Sequence, residues 1–228
     1  MASSQTLGQI LGRRVAHYRE RAGLSQPQLA QRLADLGFDI GRVTIANIEA
    51  AGREGSTAKN RTRADNATIV DVLALARALD VPPPLLFIPL GETEEVEFGN
   101  VTMHPAAMLR WVAGDEPPAR LTTDSSEHGS IAMGRAQWFE NARPIQLFRE
   151  LHEIHDRVQD AATHKAMVAK NAAATDDDRA TAQRLLDRCL RDFDRHHRYM
   201  ISAGLSVPEV PDEWAERMML LRVPEDDR

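Results

Sequence analysis

The sequence of 228 residues predicts a mainly α-helical protein, with a five-helix N-terminal domain and a long αα-hairpin near the C-terminus. Apolar residues recur at three- and four-residue spacings through most of the chain, which is the periodicity of amphipathic helices. Capping sequences and glycines separate the periodic segments. The two-residue alternation of a half-buried strand is absent. We therefore expect no sheet core, and a hairpin that can form a bundle.

Three helices are predicted in the first 51 residues. The first covers about Leu7–Ala22. The second begins at the S-x-x-Q capping box of Ser25 and Gln28, and Gly37 closes it. The third covers about Arg42–Ala51. The residues expected to face inward from the second and third helices are Leu29, Ala30, Leu33, Leu36, Ile45 and Ile48.

A polar loop and two more helices complete the N-terminal domain. Residues 52–66 contain only alanine as an apolar side chain, which predicts an exposed, basic loop. Asn66 is expected to cap a fourth helix over Ala67–Leu79, and a run of three prolines then starts a short fifth helix at residues 85–87. The inward residues expected of the fourth helix are Ile69, Val70, Leu73, Ala76 and Leu79.

Residues 93–143 are predicted to connect a domain at 1–92 to a C-terminal domain at 144–228. Four glutamates between 92 and 97 make the start of the connector acidic. A short helix is expected over 105–113, followed by a segment over 115–134 that is either a long loop or a small hairpin.

Two long apolar seams predict the C-terminal hairpin. Thr175, followed by three aspartates, is a capped start for its second helix, and Gly204 ends that helix. Both seams repeat with the alternating spacings of a coiled coil, so we expect a dimerisation or regulatory domain. The seam residues are Leu147, Leu151, Ile154, Val158, Ala161, Lys165 and Val168, then Ala182, Leu186, Cys189, Phe193, His196 and Met200.

Charge is unevenly distributed along the chain. Residues 1–63 hold ten basic and five acidic side chains, whereas residues 91–228 hold 17 basic and 26 acidic ones. A basic segment favours contact with phosphates. The single cysteine, Cys189, excludes an internal disulfide, and no apolar run has the length of a membrane span. With no secretory signal in the first residues, the expected location is the cytoplasm.

Three separated segments carry a family resemblance. Residues 23–30 (GLSQPQLA), 43–49 (VTIANIE) and 73–82 (LALARALDVP) occur in the order and type of the Cro/C1-type (Xre) helix-turn-helix family. The chain resembles that family over residues 7–90. The resemblance implies a sequence-specific regulator of transcription, expected to be a repressor, that binds double-stranded DNA. It also implies that the third helix reads the major groove.

The first turns of that helix offer a set of base-reading side chains. Arg42 can form a bidentate contact with guanine, and Asn47 can do so with adenine. Val43 or Ala46 can touch a thymine methyl group. These four residues are the predicted base-reading set.

Other residues are expected to hold phosphates or support the reading helix. In the family pattern, Gln26 and Thr44 bind phosphate or buttress the reading residues, and Glu49 is structural. The segment 34–41 and the loop 52–66 are both longer than the family's usual connections. The basic residues of that loop either reach phosphates or are merely solvated; they are Arg53, Lys59, Arg61 and Arg63.

Partners and alternatives follow from the same residues. A lone helix-turn-helix reads few base pairs, so we expect a homodimer on a palindromic operator. One alternative is a ligand-sensing regulator with a small-molecule effector pocket in 93–228, where Trp111, Trp138 and Phe139 could line it. Another is an antitoxin-like module that binds proteins.

Metal and enzyme functions are not expected. The histidines at 152, 155, 196 and 197 face each other in the predicted hairpin, but the HExxH spacing of zinc proteases is absent. No nucleophile elbow or phosphate-binding loop occurs, and the Ser–Lys pair of self-cleaving repressors has no strand-rich domain to hold it. We expect no cofactor.

Overall fold

A computed structural model of the chain describes residues 6–53, 55, 64–98, 101–118 and 128–222. The structure is mainly α-helical, as predicted, and divides into two compact units at residues 1–136 and 137–228. The functional limits predicted at residues 92 and 143 remain predictions, because compact packing does not test function. No helix in the described ranges combines the length and the apolarity needed to cross a membrane.

Four helices and one 3-10 turn form the first part of unit 1. They are α1 (Leu7–Arg21), α2 (Gln26–Asp35), α3 (Arg42–Ala51), α4 (Ile69–Leu79) and the turn Pro83–Leu86. The first three helices begin and end within one or two residues of their predicted limits. The expected fifth helix is only the 3-10 turn, because two of its four residues are prolines, which donate no backbone hydrogen bond.

Helix starts in unit 1 are set by local capping. Thr6, Ser25 and Thr68 each accept a hydrogen bond from a backbone amide three residues on and complete a capping box. The box at Ser25 and Gln28 confirms the prediction. The cap predicted at Asn66 is wrong, since Thr68 with Asp71 starts α4 two residues later. Gly41 precedes α3 without a side-chain cap.

The core of unit 1 contains most of the inward residues expected from α2 and α3. Leu29, Leu33, Ile45 and Ile48 are buried against one another and against α1 and α4. The inward position predicted for Leu36 is wrong, because α2 ends at Asp35 and Leu36, 36% exposed, leaves the apolar stripe.

The face of α4 differs from the prediction. Ile69, Val70 and Leu73 are 78%, 62% and 50% exposed. Ala76 and Leu79 are buried as predicted, and the other buried residues of the helix are Ala74, Leu75 and Ala78. Nearly every residue of this helix is apolar, so its periodicity did not distinguish the inner face from the outer one.

A small hairpin adds a second layer to unit 1. Strands β1 (Val96–Phe98) and β2 (Val101–Met103) pair antiparallel, with Val96 opposite Met103, and α5 (Pro105–Val112) follows. Ile10, Ile88, Val96, Met103 and Met108 form its buried cluster. The sequence did not show these strands, because three residues are too few to establish an alternation. Helix α5 matches the helix expected over 105–113.

Unit 2 is built from long helices. Its elements are α6 (His128–Lys170), whose first residues belong to unit 1, α7 (Asp176–Ser202) and α8 (Asp212–Arg222). Helix α6 begins well before Pro144, which lies inside it. The loop or small hairpin expected over 115–134 is wrong for residues 128–134, which are helical, and residues 119–127 lie outside the described residues.

The two predicted seams meet in one core. Leu147, Leu151, Val158, Leu186 and Phe193 are buried together. The expected hairpin is therefore formed, and the capping box of Thr175 and Asp178 starts its second helix as predicted. Lys165 is exposed at the end of the seam.

Helix α8 closes the hairpin from one side. Trp214 and Met218 enter the same core. Two ion pairs fix the helix at its rim: Arg217 to Asp187 at 2.6 Å, and Arg222 to Asp194.

Candidate nucleic-acid interface

Helix α3 separates a buried face from an outward face. Ile45 and Ile48 point into the core. On the other side, Arg42 is exposed, and Val43 is 73% exposed. Ala46 and Asn47, one turn further on, are half-buried on that side. The structure thus brings the four predicted base-reading residues together on one surface.

A buried carboxylate fixes α3 in place. Glu49, 2% exposed, accepts hydrogen bonds from Arg19 Nε at 2.6 Å and from a terminal Arg19 nitrogen at 2.9 Å. These bonds raise the pKa of Arg19 above its usual value. Such a paired, buried carboxylate fits the structural role expected of Glu49. The sequence analysis did not identify Arg19 as the partner of Glu49, although a buried carboxylate requires a cation nearby.

The same carboxylate reaches the start of α2. Gln26 Nε2 donates to Glu49 Oε2 at 2.9 Å, and Arg19 donates to the Leu24 carbonyl at 2.8 Å. Helices α1, α2 and α3 are therefore tied at one point. Gln26 is engaged as a buttress, and its contact with phosphate remains a prediction.

Two glycines set the spacing between α1 and α3. A Cβ atom at Gly12 would lie 2.2 Å from the Ile48 carbonyl oxygen, and one at Gly52 would lie 2.3 Å from the Arg13 backbone nitrogen. Both distances are shorter than any side chain tolerates, so the two backbones approach closely only because these residues are glycines. This contact fixes the tilt of α3.

Much of the basic charge of α1 is neutralised within the unit. Arg13 pairs with Glu92 at 2.9 Å, and Arg14 pairs with the other oxygen of the same carboxylate. Arg14 also donates to the Leu85 carbonyl at 2.9 Å and to Tyr18 Oη at 2.9 Å. The basic excess of the first 63 residues therefore overstates the charge that is available to a phosphate backbone.

The remaining predicted contacts surround the start and end of α3. Gly41 leaves the first turn of α3 without a side-chain cap, so its amides face outward. Thr44 is half-buried in that turn, and Arg53 is exposed just after the helix. The predicted phosphate contacts Lys59, Arg61 and Arg63 lie outside the described residues.

The histidines of unit 2 are arranged as core and surface residues. His155 packs against Trp214 with ring centroids 5.1 Å apart, and His196 Nε2 lies 3.0 Å from the Leu147 carbonyl oxygen. Among the described side chains, no group of three or more histidine, cysteine or acidic residues is arranged to hold a metal ion.

The aromatic residues considered for an effector pocket pack on near neighbours. In unit 1, Trp111 contacts Phe98 with ring centroids 5.6 Å apart. In unit 2, Trp138 and Phe139 contact each other at 5.1 Å. The effector pocket proposed around them remains a prediction.

Comparison with known proteins identifies the domain. Residues 10–86, about a third of the chain, match a family described as a helix-turn-helix domain. No curated protein and no solved structure gives a significant match. The segment that contains α1 to α4 is therefore a helix-turn-helix domain, which indicates a DNA-binding regulator.

Proposed function

We propose that this protein is a transcriptional repressor that binds double-stranded DNA at a palindromic operator as a homodimer. Helix α3 reads the major groove, in the manner of the Cro/C1-type (Xre) family. The observation that supports this most directly is the division of α3 into a face held by core contacts and an outward face carrying a base-reading set.

The base-reading set is Arg42, Val43, Ala46 and Asn47. Arg42 makes no hydrogen bond or ion pair with another described residue, so its guanidinium is available to a guanine. Val43 offers an apolar side chain to the methyl group of thymine, and Asn47 offers a carboxamide to adenine.

The phosphate contacts surround that set. The uncapped amides at the start of α3 and the hydroxyl of Thr44 can bind a phosphate on one side. Arg53, which is exposed just after α3, supplies a cation beyond the end of that helix, and the loop residues Lys59, Arg61 and Arg63 supply further positive charge. Gln26 positions α2 by donating one Nε2–H to Glu49, and its second Nε2–H can donate to a phosphate oxygen.

Selection of bound sequences from a random pool of duplex DNA tests the proposal. We expect a two-fold symmetric consensus with half-sites about one helical turn apart. Footprinting should then show protection centred on that consensus, and a reporter gene placed behind it should be repressed. A selected pool with no consensus would show that the domain does not read sequence.

A further inference from the structure

Helices α7 and α8 enclose a groove of about 480 Å³ with a strongly basic lining. Arg188, Arg191, Arg195 and Arg198 recur along α7 at three- and four-residue spacings, which places them on one face. They cover about 15 Å of helix, and Arg222 of α8 is the fifth arginine of the groove.

The charge of the groove contrasts with its surroundings. Among the described residues, the acidic side chains that line it are Asp192 and Asp194, whereas unit 2 as a whole holds 14 basic and 18 acidic residues. Arg188 and Arg191 form no ion pair with a described residue. Asp192 pairs with Arg195, and Asp194 pairs with Arg198 and Arg222, so the five guanidinium groups exceed the two carboxylates by three. A bound anion would offset that excess of positive charge.

Part of this lining is held in place. Asp194, 5% exposed, accepts a hydrogen bond from Arg222 Nε at 3.0 Å and lies 3.2 Å from a terminal nitrogen of Arg198. One buried carboxylate thus orients two guanidinium groups, one from each helix. Guanidinium groups that are held in a fixed orientation suit bidentate contacts with phosphate oxygens.

The groove also has an apolar floor. Leu190 of α7 and Met218 and Leu221 of α8 also line the groove, and Leu221, which is half-buried, offers the most apolar surface. A floor of this kind favours a ligand that carries an apolar or aromatic body as well as its charge.

We propose that this groove binds a small organic phosphate, with its phosphate on Arg188 and Arg191 and its body on the apolar floor. Duplex DNA shares the phosphate chemistry, but a long polyanion would also extend over the rest of unit 2, whose sequence outside the groove holds 9 basic and 16 acidic residues. A small ligand avoids that repulsion. The site is separate from α3 and does not depend on the DNA-binding proposal.

Isothermal titration calorimetry on the full chain tests the site, with ADP and pyrophosphate as probes at low salt. We expect ADP to bind and pyrophosphate to bind more weakly, because pyrophosphate cannot use the floor. The double variant R188Q/R191Q should weaken ADP binding about tenfold or more. The matched control R179Q/R184Q removes the same charge from the same helix outside the groove and should bind ADP like the unmodified chain.

Three results would overturn the proposal. ADP and pyrophosphate could both fail to bind at millimolar concentration, or the control variant could lose as much affinity as R188Q/R191Q. Alternatively, R188Q/R191Q could weaken DNA binding while ADP does not bind, which would make the groove a DNA contact. Equal affinity for both probes would contradict the role of the apolar floor.

Discussion

The residues of α3 differ in their surroundings. Arg42 and Asn47 lie on the outward face, whereas Glu49 lies among the side chains of α1 and α2. The arrangement allows recognition and stability to be tested by different substitutions, because no side chain of the first group takes part in the network of the second.

We expect Arg42→Ala and Asn47→Ala each to weaken binding to the selected operator by about 1–3 kcal/mol, the discrimination carried by one bidentate contact. Binding to scrambled DNA should change little. Gel-shift titrations on both DNAs measure the difference. Equal losses on the two DNAs would show that these residues do not read bases.

Glu49→Gln should lower the free energy of unfolding by about 2 kcal/mol, because Arg19, whose side chain is only 12% exposed, would keep only the exposed Glu20 as a counter-charge. Urea denaturation measures the loss. Glu20→Gln is the control, since Glu20 also faces Arg19, at 3.3 Å, but its side chain is 69% exposed. Its effect should stay below about 0.5 kcal/mol. Similar losses in both variants would contradict the special role of Glu49.

Among single residues, the ion pairs between side chains distant in sequence were the hardest feature to predict. The pairs Arg19–Glu49 and Arg14–Glu92 join residues 30 and 78 positions apart. Local periodicity carries no information about such pairs. The outward set of α3 could be predicted, because a single helix of known limits fixes which residues share a face.

At the scale of helices and strands, local sequence determines where a helix begins but not always which face is buried. The capping boxes at Ser25 and Thr175 were readable from four residues each, and the helices begin there. The inner face of α4 was not readable, since its sequence is apolar on all sides. Hairpin β1–β2 was missed because its packing on Ile10 is a tertiary contact that its own six residues do not reveal.

The start of α3 has no side-chain cap, so a substitution at Gly41 can add one. Gly41 has φ −75°, and no atom lies within 4 Å of the position that a Cβ would take, so any side chain fits there. Gly41→Asn and Gly41→Asp should each leave stability unchanged or raise it by a few tenths of a kcal/mol. Only the aspartate should weaken DNA binding markedly, by about tenfold, because its charge faces phosphate.

Thermal melts and gel shifts on the two Gly41 variants check this expectation. The asparagine variant is the matched control, since it offers the same cap without the charge. If the aspartate variant binds DNA as well as the asparagine variant, the start of α3 does not face a phosphate.

Helix α8 should be sensitive to acid. The hydrogen bond from Arg222 lowers the pKa of Asp194 below its usual value of about 3.8. The pKa of Asp187 is lowered too: burial, the largest influence, raises it, but donors from Arg217 and Gln183 outweigh burial. The stabilisation is therefore present above the usual pKa and is lost as the pH falls through the lower folded values.

Hydrogen exchange of the α8 amides, measured from neutral pH to below pH 4 and corrected for intrinsic exchange rates, tests this expectation. Protection should fall at the acid end in the unmodified chain. In R217Q/R222Q it should be low already at neutral pH and change less with acid. Protection that is independent of pH in the unmodified chain would show that the two ion pairs do not hold α8.

At the scale of the whole molecule, the structure restricts where the interface of the proposed homodimer can lie. The seams around Leu151 and Phe193 are filled by the chain's own helices, including α8, so they are not open to a second copy. Ile145 and Phe148 are 45% and 39% exposed; Ile145 lies on the side of α6 opposite that seam, and Phe148 lies about a quarter turn from it. With Pro144 they line one exposed apolar patch of α6 that a second chain could cover.

We expect light scattering to give about twice the chain mass of 25.4 kDa at micromolar concentration. Ile145→Asp with Phe148→Asp should give the monomer mass and weaken operator binding, because one half-site would lose its partner. Met167→Asp with Leu185→Asp, two other exposed apolar residues of unit 2, is the control and should stay dimeric. A monomeric unmodified chain would contradict the homodimer.

The division of α3 has a consequence for how such a protein can change over generations. The residues that hold the helix and the residues proposed to meet the bases are different residues of one ten-residue segment. Substitutions at the exposed positions 42 and 43 can therefore accumulate with little loss of stability, and at the half-buried positions 46 and 47 side chains of similar size can do so. We expect a gene library randomised at these four positions to yield mostly folded proteins with new operator preferences. A regulator of this kind can therefore acquire new target genes while its fold stays the same.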